Sequence, residues 1–432
     1  MLNIRMLRES PDLIRKDLEK RKDTAKIALI DEALAIDRKH RSLIQESEQL
    51  RHQRNALTKE IARLKKEGKD AAKELAKAKK IPPRIAEIEE EQDVLRKDIR
   101  RILMSLPNIL HESVPYGDGE EGNQVIRKVG KVTEKSFPLM SHVDLMERHD
   151  LADLERAAKI AGARFYYLKD ELVLLEQALI RFALDELYDK GFSLIQPPFM
   201  MRRQPYEGVT DLNDFEEVMY KIEGEDLYLI ATSEHPMAAM YMDELLFPEQ
   251  LPMRLAGISP CFRKEAGSHG KDTKGIFRVH QFSKVEQFVF CRPEDSWNMQ
   301  EELLRNAEEL FRKLGLPYQV VNICTGDIGS VAAKKYDIEV WMPVQKKYRE
   351  VVSVSNCTDY QANRLNIRFR SKEGNRTVHT LNGTAIATTR VMVAILENFQ
   401  QKDGSVGIPK ALHPYMHGIT VIGKNGKKQE KA

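Results

Sequence analysis

A chain of 432 residues, 42% hydrophobic and 31% charged, is long enough for two or three domains around well-buried cores, which excludes a peptide-like or wholly disordered protein. No run of eighteen apolar residues occurs, and charges interrupt every apolar stretch near the amino terminus, so the chain reads as cytoplasmic, with neither a membrane span nor a secretory signal. The 69 basic and 66 acidic residues leave only +3, and Cys261, Cys291, Cys324 and Cys357 form no CxxC pair, so neither nucleic acid, a disulfide framework nor a zinc site is called for by composition.

Between about 31 and 105 glycine is nearly absent and two long charged helices are expected. Ile36, Leu43, Leu50, Leu57 and Leu64 recur at a seven-residue period, with Ala33, His40, Ser47, Arg54 and Ile61 as a thin companion row. Ile81, Ile88, Leu95 and Ile102 repeat the period, with Ile85, Ile99 and Leu106 beside them. Gly68 and Asp70 mark a reversal, giving an antiparallel hairpin on the order of 50 Å long. Pro82 and Pro83 fall in the returning half, where the helix is expected to break or begin afresh. The tip is basic, with Lys59, Arg63, Lys65, Lys66, Lys69 and Lys73 prominent. Such a run is ordinarily a solvated helix face; at the end of a long lever it is also well placed to neutralise phosphates.

Prolines, glycines and acids without a period make 108–125 a linker, which divides a domain at 1–107 from another at 126–432. A helix is expected near 170–190, ending at Gly191 before a short strand, 192–195, stopped by Pro197 and Pro198. Further helices are expected near 295–314 and 388–400, among strands that do not alternate regularly with helices. That pattern favours an α+β domain on an antiparallel sheet, and residues 424–432 read as a frayed polar tail.

Three stretches could carry chemistry. Cys261 to Phe290 reads as a hairpin, with a loop at 266–275 and a long returning strand from Ile276. On a strand Arg263 and Glu265 share a face, either as an oxyanion fork beside a carboxylate or as a surface ion pair. The same period aligns Arg278, His280, Phe282, Lys284 and Glu286, a platform able to hold a phosphate, stack a purine and grip an amine or hydroxyl. A buried helix starting near Thr388 puts Arg390 in its first turn, where the helix dipole disfavours a cation unless an anion, either a phosphate or a core carboxylate, sits nearby.

These residues resemble the bacterial type of seryl-tRNA synthetase, a class II aminoacyl-tRNA synthetase family, over nearly the whole chain. Gly191 to Pro198 is similar to the first class motif, Phe262-Arg263-x-Glu265 through Phe282 to the second, and Asn382-Gly383-Thr384 through Arg390 to the third. Thr232-Ser233-Glu234 resembles the serine-binding loop, and the hairpin resembles the arm that holds the long variable arm of serine tRNA. The resemblance implies ATP-dependent ligation of L-serine to serine tRNA through a seryl-adenylate, with selenocysteine tRNA as a second acceptor the resemblance allows. It further implies a homodimer, Mg²⁺ and no zinc. Arg263 would clamp the α-phosphate and serine carboxylate, and Lys264 and Glu265 would lie against the nucleotide. Phe282 would stack on adenine, while Arg278, beside Val279, and Arg390 would hold the phosphate tail. Glu350 and Ser353, separated by Val351 and Val352, would bind Mg²⁺ and phosphate oxygens; three apart, they require a bulge or bend to face one site. Thr232, Ser233, Glu234, Glu286, Asn382 and Thr384 would read serine, although Thr384 stands where family members often carry serine. Lys59, Arg63, Lys65, Lys66, Lys69 and Lys73 would meet the tRNA.

Threonyl-, prolyl- and histidyl-type relatives share the three motifs but carry a further domain after the third, where only a short ending is expected here. A catalytically silent scaffold would have lost Arg263, Glu286 and Arg390, all of which are present.

Overall fold

The computed structural model describes residues 1–211, 218–266 and 274–423; the tail reading at 424–432 and most of the 266–275 loop lie outside them. The chain divides into Met1–Pro107 and Asn108–Ala432.

In the first unit, helices Ile27–Lys66 and Ala72–Ser105 form the expected hairpin. Leu43, Ile88 and Leu95 make its seam, with Ile36 and Leu50 packed alongside, while ion pairs such as Arg51–Glu89 and Arg84–Glu46 span its exposed flanks. The returning helix runs through Pro82 and Pro83 without the expected break. Both prolines are exposed, so the carbonyls their missing N–H groups leave unpaired can bind water, while Ile81, Ile85 and Ile88 stay buried on the seam and hold the helix in register. Two short helices, Ile4–Glu9 and Pro11–Lys20, precede the hairpin. From the first of them Arg8 forks onto buried Asp37 at 2.6 and 2.8 Å. Burial works against ionisation of that carboxyl, but Arg8 and Arg41 outweigh it and hold its pKa below the usual range.

The second unit is built on an eight-stranded sheet. In chain order its strands are β1 Gln124–Val129, β2 Ser193–Ile195, β3 Met253–Phe262 and β4 Gln281–Cys291, then β5 Tyr318–Asn322, β6 Lys334–Met342, β7 Lys347–Asn356 and β8 His379–Ala387. Their order across the sheet is β1-β5-β6-β7-β8-β4-β3-β2, antiparallel except for the edge pair β3 and β2. Helices Glu171–Asp189, Ser296–Leu314 and Thr388–Asn398 contribute Leu175, Leu179, Leu303, Phe311, Met392 and Ile395 to one large core with the sheet, as an α+β fold requires. Gly315, at φ +70°, ends the second of these helices in the left-handed conformation that glycine adopts without strain.

Two further expectations need correction. Residues 108–125 do not hang as a linker. Asn108 is buried and its side-chain amide donates to the carbonyls of Val331 and Cys357, while Leu110 and Val114 pack against Val321 and Ile323. The hairpin of β3 and β4 forms, but β4 begins at Gln281, not Ile276, and β3 ends at Phe262. Arg263, Glu265, Arg278 and His280 therefore lie beyond the regular strands, and Glu265 takes a positive φ of 51°. Arg263 and His280 stay paired one step beyond the strands, the Arg263 backbone N–H donating to the His280 carbonyl, whereas Arg278 and Glu265 meet by side-chain pairing.

Candidate active site

Two of the cavities on the open face of the sheet, of about 510 and 470 Å³, hold the expected residues. Both are lined by Lys335, Glu350 and Arg390, so they meet at those three side chains.

In the first cavity the central strands deliver the polar groups. Thr384 on β8 stands directly across from Glu286 on β4, and its Oγ1 donates to Glu286 Oε2 at 3.2 Å. Lys284 Nζ reaches the same carboxylate oxygen at 2.5 Å, and both partners are buried. Asn382, two residues before Thr384 and hence on the same side of β8, donates to Glu234 Oε1 at 2.9 Å. Gln361 donates to that oxygen as well, at 3.2 Å, and is itself held by Thr380 and the Val209 carbonyl. Enclosure and the nearby Glu286 charge push the Glu234 pKa up to about 7, against the pull of Lys284 and Arg263. Burial drives the His235 pKa down to about 3, helped by the same two cations, so this ring is neutral. Thr232 Oγ1 accepts from the Glu234 backbone N–H at 3.1 Å and fixes the turn that presents the carboxylate. Arg263 lies with its guanidinium 5.2 Å from the centre of the Phe282 ring, a cation over an aromatic face.

The second cavity is more highly charged. Phe277 has two guanidinium groups over its ring, Arg349 at 4.3 Å and Arg390 at 5.2 Å. Arg278 pairs with Glu265 at 2.7 Å, and its Nε is buried without a hydrogen-bond partner among the described residues. Arg390 is in the first turn of its helix, as expected, and donates to the Glu350 carbonyl at 3.0 Å with the Glu350 carboxylate 3.4 Å away. The walls of the cleft oppose ionisation of Glu350, but Arg390, Lys335, Arg263 and Arg278 outweigh them and hold its pKa below the ordinary range. A register shift opposite Ile338 and Glu339 skips Val351, the bulge that lets Glu350 and Ser353 line one cavity despite their spacing.

The structure thus brings Thr232, Glu234, Arg263, Phe282, Glu286, Glu350, Val351, Ser353, Asn382, Thr384 and Arg390 into one cavity, and Arg278 into its neighbour. Four expected residues lie elsewhere. The Ser233 hydroxyl donates to the Gly257 carbonyl at 3.2 Å, and the Lys264 backbone N–H donates to Val218. Val279 and Val352 belong to the hydrophobic core. Glu265 touches the site through Arg278. Sequence reasoning aligned Lys284 with the platform without giving it a role, and it missed Lys335 and Gln361. Lys284 had a signal, alternating with Phe282 and Glu286, whereas nothing local singles out Gln361, whose role exists only through contacts distant in sequence.

Comparison with known proteins decides between the class II relatives. Residues 1–110 match the family described as seryl-tRNA synthetase N-terminal domain, and residues 217–399 match the tRNA synthetase class II core domain (G, H, P, S and T). The chain is 58% identical to the serine–tRNA ligase of Methanocella arvoryzae, over 98% of its own length and all of the relative's. The chain belongs to the seryl-tRNA synthetase family. Its activity is accordingly the ligation of serine to tRNA.

Two solved seryl-tRNA synthetases agree. The Pyrococcus horikoshii enzyme, complexed with ATP, superposes with a TM-score of 0.92 at 53% identity, covering 98% of this chain and 99% of that one. The cytoplasmic serine–tRNA ligase of Naegleria fowleri, complexed with AMP, gives 0.87 at 37% identity, with 98% of each chain covered. The bacterial type does not stand. The relatives at 54–59% identity are those of archaeal methanogens and of Thermococcus and Pyrococcus, and the three class motifs read from this sequence do not discriminate between such lineages.

Proposed function

We propose that the first cavity binds serine and the nucleoside part of ATP, and that the triphosphate bends at Arg390 and Glu350 into the second. The observation that carries this reading is the shared lining of the two cavities at those residues. Glu234, Glu286 and Thr384 would hold the serine ammonium and hydroxyl, Arg263 the carboxylate and α-phosphate, and Phe282 the adenine ring. Arg278 has a buried Nε without a partner among the described residues, a donor suited to a phosphate oxygen.

Chemistry then needs little proton transfer. A serine carboxylate oxygen attacks the α-phosphorus, diphosphate leaves, and the terminal tRNA hydroxyl later attacks the seryl-adenylate carbonyl to release AMP. A carboxylate is already a nucleophile, so positioning and charge neutralisation by Arg263 and Arg390 would supply the rate. Loss of the serine hydroxyl, as in alanine, would leave the buried Thr384–Glu286–Lys284 group incompletely paired, which opposes mischarging.

Glu350, ionised and 46% exposed in the cleft, and the Ser353 hydroxyl on the same side of the bulge offer hard oxygen donors of the kind Mg²⁺ takes together with phosphate and water. Bound there, Mg²⁺ would offset the charge of the phosphate tail.

The hairpin would hold the long variable arm of serine tRNA. In support, Lys59, Arg63, Lys65, Lys66, Lys69 and Lys73 are all exposed. Arg63 and Lys69 are partly committed to Glu60 and Glu67, so Lys59, Lys65, Lys66 and Lys73 are the stronger phosphate contacts. A homodimer through the helix before Gly191 and the edge strand β2 is supported by the exposure of Val173, Tyr188 and Leu194. Among the described residues no helix is long and apolar enough to cross a membrane, which accords with a cytoplasmic enzyme. ATP–diphosphate exchange measured across the amino acids tests the whole reading: exchange with serine alone is expected, and exchange driven by another amino acid overturns it.

A further inference from the structure

One charged side chain at the centre of the site has no task in this scheme. Lys335 shares a face of β6 with Asp337 and Glu339, while Tyr336, Ile338 and Val340 on the opposite face enter the core. It is one of the three side chains lining both cavities. Its ammonium is 3.6 Å from the nearer oxygen of Asp337, well beyond the 2.7–2.9 Å of a charge-assisted hydrogen bond. Asp337 is 5% exposed, and its other oxygen, Oδ1, has no hydrogen-bond partner among the described residues. A pair serving only to stabilise the fold would close that gap and satisfy that oxygen, because desolvating two charges is repaid only by good geometry. Here the ammonium is held near, yet not used up.

We propose that Lys335 is a further substrate-contacting residue, whose ammonium binds the departing diphosphate at the junction of the cavities, with Asp337 as the positioning residue that keeps it there. This rests on the adenylate reading above. As the serine oxygen bonds to the α-phosphorus, the bond from that phosphorus to the α–β bridging oxygen breaks. Its electron pair stays on diphosphate, and a fixed cation at that point stabilises the added charge without any proton transfer. Burial opposes the charge on Lys335, and also pushes the Asp337 carboxyl up to about 7, but Asp337, Glu350 and Asp327 together favour the ammonium. Arg390 and Arg278 would grip the rest of the tail, leaving Lys335 to act on the leaving oxygen. The residue lies outside the three class motifs, which is why motif reading passes over it.

The test compares the full-length wild type with Lys335→Met, Lys335→Arg and Asp337→Asn. Calorimetry with Mg²⁺ and inorganic diphosphate alone reads the contact, and serine-dependent exchange reads its use. Lys335→Met is expected to weaken diphosphate binding about 10-fold and to lower the exchange kcat by about 10², with the KM for serine changed less than about twofold. Lys335→Arg, which keeps the charge, should recover most of both, and Asp337→Asn should fall between. Should Lys335→Met lose the fold, as a melting curve would reveal, Lys335→Gln takes its place. Wild-type diphosphate affinity in the charge-removing variant overturns the proposal, as does equal damage from Met and Arg together with a raised KM for serine. Lys335-dependent diphosphate binding in a protein without serine-dependent exchange would instead sink the adenylate reading and leave this contact standing.

Discussion

The helical hairpin and the sheet domain place their charges by opposite means. On the hairpin, cations and anions pair across open flanks, as Arg51–Glu89 and Arg84–Glu46 do, and a narrow apolar seam does the holding. In the sheet domain the decisive charges are enclosed: Lys284 with Glu286, and Glu234 between two amide donors. Exposed pairs contribute little and depend on salt, whereas an enclosed charge is costly to desolvate and is kept where it acts on a ligand. The contrast teaches that the hairpin can change its surface at small cost, while the cavities cannot lose one charge without stranding another.

The contrast breaks most visibly at Arg390. Arg390→Ala should lower serine-dependent exchange by about 10²–10³, roughly 3–4 kcal/mol of transition-state stabilisation. The fold should hold, because a cation in the first turn of a helix is unfavourable to the helix itself. A melting curve and exchange kinetics on the same preparation check this, and unfolding with normal activity per folded molecule would return Arg390 to a structural role. The counterpart on the hairpin is Ile88→Ala, which removes a fully buried seam residue and should cost about 2–4 kcal/mol of hairpin stability. Exchange should survive that change, since the described residues that line both cavities belong to the second unit. A third test acts on the tip. Replacing Lys59, Lys65, Lys66 and Lys73 by Gln should raise the KM for tRNA about 10-fold or more and flatten its dependence on salt, with adenylate formation unchanged. Equal loss in both steps would remove the hairpin from tRNA binding.

How much of this could be read in advance follows the same division. The hairpin was legible because a seven-residue period is a local pattern, and the Glu350–Ser353 bulge because the spacing demanded it. Asp37 was not, since a charge on the inner face is tolerated through Arg8, from another helix, together with Arg41. Pro82 and Pro83 misled because propensity describes a helix alone, and seam packing overrides it. In the sheet domain, motif residues on β4 and β8 were legible where strand pairing is regular. Glu265 and Arg278 converge by a side-chain ion pair after the strands end, which no period of two foretells. Gln361 depends on contacts among segments far apart in sequence, and the alternation of Lys335 with Asp337 is local but does not show that they line the cavities.

The smallest expected effect concerns Glu234 and pH. Glu286 presses on it from β4, while Lys284 and Arg263 pull the other way, and enclosure leaves the pKa at about 7. Without serine, the folded chain therefore holds this proton more tightly than the unfolded chain does. The stability linked to the group is fully present below the ordinary carboxyl range and is lost as pH rises through about 7. Serine reverses the balance, because its ammonium favours the carboxylate. The acid limb of kcat/KM for serine, which reports the free enzyme, should accordingly fall near pH 7, whereas the limb of kcat, which reports the complex, should lie at lower pH. Glu234→Gln should remove the first limb and raise the KM for serine at all pH values. An unchanged limb in that variant would assign the titration to another group, and the ammonium contact would pass to Glu286.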